Sequence, residues 1–149
     1  MKLAYLLGLQ YDDLGALIAL LDQERQALAV GRIDGDLLQR IAADKQALLE
    51  QLEQREQDRR QQQSDLGYAD GDSGAQDAAR DADCLDQWTL VRGMSERAAR
   101  LNQLAGTMLT MRLEHNQRML DLIHTVAEKT LYDTRGRTGA QPGRIDASA

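Results

Sequence analysis

The sequence predicts an all-α protein: an elongated, antiparallel, coiled-coil-like three-helix bundle, built from a helical hairpin and one long C-terminal helix, with a flexible C-terminal tail. Three observations carry that expectation. No proline interrupts the chain before Pro142, so no residue of that kind breaks a helix over most of its length. Phe is absent and aromatics make up 3% of 149 residues, so any core is aliphatic. Leucines recur at helical spacing in three separate stretches, while strand-like alternation is not seen. The size suits one domain, placed over residues 1–132, with a disordered tail over 133–149.

The first helix is expected over residues 2–30, where Leu3, Leu6, Leu7, Leu14, Leu17, Ile18, Leu21 and Leu28 form a narrow stripe of near-heptad spacing. Gly31 reads as its stop and Asp34 as the next N-cap, a link short enough to make the following helix an antiparallel neighbour. That second helix is placed over residues 35–64. Leu38, Ile41, Leu48, Leu49 and Leu52 form its stripe, with Lys45 at the centre. A lysine on such a seam either snorkels its ammonium to water or acts as a register device. The hairpin geometry sets Lys45 one turn from Glu24, so a Glu24–Lys45 pair is predicted.

After Leu52 the apolar pattern ends, and residues 53–64 read as a solvated, fraying helix end with a Glu56–Arg60 pair. Residues 65–82 read as a mobile acidic loop. Asp70-Gly-Asp-Ser-Gly begins like a calcium loop, but Gly74, Ala75 and Asp81 occupy positions where the pattern needs a ligand, a glycine and a glutamate.

The third helix is expected over residues 83–130. With Leu101 at zero and 100° per residue, its apolar positions span roughly 200°, twice what one core-facing stripe needs. Gly93 and Gly106 suggest close helix approach. The helix outruns the arms of the hairpin, so the segment from His115 to Thr130 is expected to overhang with its apolar arc uncovered. Leu113, Met119, Leu120, Ile123 and Val126 are the candidate binding residues there. The methionines of this helix serve equally as core filler or as adaptable contact groups. Tyr132 is an aromatic residue set in a polar tail, either packing on the last turn or contacting a partner.

The composition narrows the function classes. A net charge of −6, with acids and bases interspersed, argues against a nucleic-acid surface. The lone Cys84 has no internal disulfide partner, which suits a reducing cytoplasm. No cleavage-site pattern follows the apolar start, and no uninterrupted apolar run is long enough to insert in a membrane. His115 and His124 fall on opposite sides of the helix and cannot share a metal; Asp121-x-x-His124 lacks the second motif that di-metal sites need. No phosphate-cradling glycine loop is present, and neither an enzyme nor a cofactor is expected.

The ordered set of residues resembles the FlgN family of flagellar export chaperones. The resemblance runs from Glu24 and Ala27-Leu28-Ala29-Val30-Gly31-Arg32-Ile33-Asp34-Gly35 through Leu38-Gln39-Arg40-Ile41, Lys45 and Leu48-Leu49. Trp88, Leu101-Asn102-Gln103, Gly106 and Asn116 continue it, and Thr130-Leu131-Tyr132-Asp133-x-x-Gly136-x-Thr138 is its most specific piece. Ala105 departs from the family, which often has asparagine there. The resemblance implies a cytoplasmic, non-enzymatic chaperone that holds the C-terminal helices of the hook–filament junction proteins FlgK and FlgL and delivers them to the export apparatus. It further implies that Tyr132 docks on the cytoplasmic domain of the export gate FlhA. The rival expectation is a self-associating coiled-coil scaffold using the same apolar face, and a weak homodimer is compatible with either.

Overall fold

The computed structural model describes the backbone of residues 2–147 and the side chains of residues 2–131. Among the described residues there are four helices and no strand: α1 (Lys2–Ala29), α2 (Gly35–Asp65), α3 (Asp72–Asp81) and α4 (Leu85–Ala147). The chain divides into two compact units, Met1–Met108 and Leu109–Ala149, where the sequence suggests one domain.

In the first unit, α1 buries Leu3, Leu7, Gln10, Leu14, Leu17, Leu21, Glu24 and Leu28. These positions alternate steps of four and three, the spacing that keeps one seam turned toward a partner helix. Leu7 and Leu21 are wholly enclosed. An 18-residue window of α1 reaches a mean hydropathy of 1.3, so the helix is long and apolar enough to cross a membrane. Its leucines are instead spent on the core of the first unit, with Ala75, Ala78, Ala79, Cys84, Trp88, Val91 and Ala98. The α1–α2 turn forms as its residues dictate: Asp34 caps α2, accepting a hydrogen bond from the Leu37 amide at 3.1 Å.

Two expectations for the middle of the chain need correction. The second half of α2 is not a fraying end, because its polar side chains continue the seam. Arg55 pairs with Asp13, Gln10 Nε2 donates to Glu56 at 2.9 Å, and Arg59 Nη2 lies 2.7 Å from Glu56. Polar groups on α1 at Gln10 and Asp13 are what make this face worth covering. The loop expected over 65–82 also contains a helix, α3, whose Ala75, Ala78 and Ala79 have the i, i+3, i+4 spacing of a narrow apolar edge and are buried. Gln63 holds the connection in place, its Nε2 donating to the carbonyls of Ala69 at 2.6 Å and Gly71 at 3.2 Å.

Both junctions around α3 close by the same device. At the end of α2, Gly67 takes φ +85 and its amide bonds Ser64 O, while the Tyr68 amide bonds Gln63 O. At the end of α3, Asp83 takes φ +55, with the Asp83 amide on Arg80 O and the Cys84 amide on Ala79 O. Each is a Schellman motif, which satisfies carbonyls that the helix end leaves open.

The part of α4 within the first unit buries Trp88, Val91, Ala98 and Ala105. Leu104 is exposed and Leu101 half-buried, so the covered line is offset from the one centred on Leu101. The close approach expected at Gly93 and Gly106 is not found, since a Cβ at either would meet nothing within 4 Å. The backbone of α4 continues past the expected end near Thr130 to Ala147. The side chain of Tyr132 and those of the expected tail over 133–149 lie outside the described residues.

Candidate protein-binding face

From Leu109 onward α4 carries large apolar side chains that the structure leaves in solvent. Every described residue from 109 to 131 is exposed except Arg112, which is half-buried. Leu113, Met119, Leu120, Ile123 and Val126 range from 46% to 59% exposed. At 100° per residue they fall within an arc of roughly 140°, so one side of the helix presents all five. Leu109 and Leu131 extend the same side along the axis, and Met111 and Leu122 lie beyond its other edge, all exposed. The opposite side is polar and internally paired: Gln117 Nε2 donates to Asp121 at 3.0 Å, and Arg118 lies 3.7 Å from Glu114. A continuous apolar strip of this kind is uncommon on the surface of a protein that acts alone.

The structure also brings Glu24 and Lys45 together. Lys45 Nζ donates to the two Glu24 carboxylate oxygens at 3.2 and 3.0 Å, and to Asn102 Oδ1 at 3.1 Å. Three helices meet at that ammonium, which sits with 21% of its side chain exposed against 12% for Glu24. Sequence spacing pointed to the pair; Asn102 could not be anticipated, since its facing depends on the offset seam of α4. This cluster fixes which residues of α1, α2 and α4 stand opposite one another.

The titratable groups are arranged for structure. Burial acts to raise Glu56, but hydrogen bonds from Arg59, Gln10 and Arg60 and the charge of Arg59 outweigh it, leaving the carboxyl below its ordinary value. The hydrogen bond to Asp81, 2.5 Å from the Tyr68 hydroxyl, pushes that phenol up. Burial does the same to the Cys84 thiol, with Asp83 adding to it. His115 and His124 are both exposed, and among the described residues no group of three or more His, Cys, Asp or Glu could hold a metal ion. What the face after Leu109 offers chemically is apolar surface, whose removal from water is favourable by about 25 cal/mol per Å².

The described residues define an all-helical protein with an exposed apolar strip along one helix. Comparison with known proteins gives the family. The FlgN protein family matches residues 1–140, and the chain belongs to it. The flagella synthesis protein FlgN of Salmonella typhimurium (strain LT2) is 34% identical over 137 residues, covering 92% of this chain and 90% of that protein. That of Escherichia coli (strain K12) is 30% identical over the same span and coverage. No solved structure matches the chain. Membership carries a flagellar role.

Proposed function

We propose that this chain is a cytoplasmic chaperone of flagellar type III export. It holds the C-terminal helices of the hook–filament junction proteins FlgK and FlgL, prevents their premature assembly, and delivers them to the export gate. The observation that carries this reading is the exposed strip of Leu113, Met119, Leu120, Ile123 and Val126 on α4. An amphipathic substrate helix laid along it would remove its own apolar stripe and this one from water together. An interface of about 1,600 Å² is enough for specific binding. Delivery requires release, which suits micromolar to nanomolar affinity. Tyr132 serves as the contact to the cytoplasmic domain of the export gate FlhA.

Titration calorimetry with the C-terminal segments of FlgK and FlgL tests the proposal. Saturable 1:1 binding with a negative heat-capacity change is expected, as apolar burial requires. Leu120→Asp should abolish it while helix content stays the same, and Tyr132→Ala should spare it while weakening binding to FlhA. A tight dimer in sedimentation that ignores added substrate helix would replace the chaperone with a self-associating scaffold.

A further inference from the structure

We infer that the groove between α2 and α4 in the first unit is a second docking site, built for a basic amphipathic helix of another protein. It shares no residue with the face proposed for substrate, and the inference does not rest on that reading. The groove encloses about 420 Å³. Its floor is Leu14 and Leu17 of α1, one wall is Leu49 and Leu52 of α2, and the other is made of short side chains of α4, Ser95 and Ala99 among them. Short residues facing leucines leave the space open, and Leu49 is 40% exposed as a result. Such volume and lining are those of a site that takes an apolar side chain.

Two further observations specify the occupant. Gln10 also lines the groove and is 5% exposed; its Nε2 donates to Glu56, yet its Oε1 is buried with no hydrogen-bond partner. Buried acceptors in folded proteins are nearly always satisfied, so this one calls for a donor. The charged residues lining the groove are Glu53 and Glu56; Glu56 is already held by Arg59 and Arg60, which leaves the exposed Glu53 as the carboxylate at the edge. The groove is therefore apolar at its base, carboxylate at its edge and short of one donor. A helix spends its backbone N–H groups internally, so a helical occupant must bring the donor on a side chain. Leucines or methionines followed within a turn by lysine or arginine meet all three conditions.

The test uses the full chain and two fluorescein-labelled peptides of about 20 residues, long enough to form helix. Both carry one leucine stripe; one is flanked by lysines and the other by glutamates. The lysine peptide is expected to bind saturably, and the glutamate peptide at least about tenfold more weakly. Ala99→Leu, which fills the groove from an exposed position, should weaken the lysine peptide by about tenfold with helix content unchanged. Glu53→Lys, which leaves the packing alone, should narrow the difference between the peptides. Leu120→Asp, which removes binding of a leucine stripe to the face after Leu109, should leave the preference for the lysine peptide as it was. Equal binding of the two peptides would overturn the inference, as would binding lost in Leu120→Asp but kept in Ala99→Leu. Absence of saturable binding would mean that water alone satisfies Gln10. A concentration-dependent dimer abolished by Ala99→Leu would make the occupant a second copy.

Discussion

Helix α4 contains two stretches that treat apolar residues in opposite ways. Within the first unit its buried positions include Ala98 and Ala105, with Trp88 and Val91 near its start. From Leu109 to Leu131 the large apolar residues are Leu, Met, Ile and Val, and they are exposed. The buried side chains at Ala98 and Ala105 are small and that at Trp88 is large, whereas the large apolar ones from Leu109 to Leu131 are exposed. A helix under pressure only to stay soluble would show the reverse, because exposed leucines gain nothing and invite association. The large exposed residues are the ones on which the proposed binding rests, whereas Trp88, Val91, Ala98 and Ala105 are already buried.

The sharpest way to break this contrast is to truncate one leucine on each side. Leu21→Ala, at a wholly enclosed position, should cost about 3 kcal/mol in denaturant unfolding. Leu120→Ala should change stability by no more than about 0.5 kcal/mol. Comparable losses at both would mean that the face after Leu109 is already covered in solution. Next in size is Gly74→Ala, whose Cβ would lie 1.7 Å from the Ala69 carbonyl oxygen, an approach that backbone cannot tolerate. It should cost about 2 kcal/mol and raise proteolysis and amide exchange over 65–82; no change there would return that segment to a loop.

A pH titration sharpens the comparison further. The Glu56 carboxyl sits below its unfolded value, so its contribution is present above about pH 4.5 and is lost as pH falls through the lower, folded value. Stability of the wild-type chain should thus decline on acidification more steeply than that of Glu56→Gln. Parallel curves would remove Glu56 from the account. The smallest effect expected is a gain: Asp83→Gly relieves a φ of +55 at the α3 C-terminus and should add about 0.5 kcal/mol to the free energy of denaturant unfolding.

Much of this was legible in the residues. Leucine spacing gave α1 and the first half of α2, and Asp34 marked the start of α2 because its carboxylate has an orphan amide to satisfy. The surplus of apolar positions on the C-terminal helix likewise showed as an arc too wide for one neighbour. Three features were not legible, each for a physical reason. Helix α3 hid because its core residues are alanines, which weigh little in any hydrophobic pattern, and because Gly71 supplies no side-chain cap. The second half of α2 hid because its seam is polar, and a polar seam looks solvated until Gln10 and Asp13 are seen opposite. Asn102 hid because its contact with Lys45 joins α4 to α2, which the spacing along one helix cannot show.

The polar positions of α1 have a consequence during synthesis. This helix leaves the ribosome before α2 exists, and by length and hydropathy it passes for a membrane anchor. Asp12 and Asp13 lie near its middle, and each adds about 3 kcal/mol to the cost of insertion against a gain of about 0.5 kcal/mol per leucine. Those two charges disfavour the bare segment in a bilayer, and in the fold Arg55 of α2 pairs with Asp13. One carboxylate thus serves twice, first turning the emerging helix away from lipid and then fixing its partner in the finished fold.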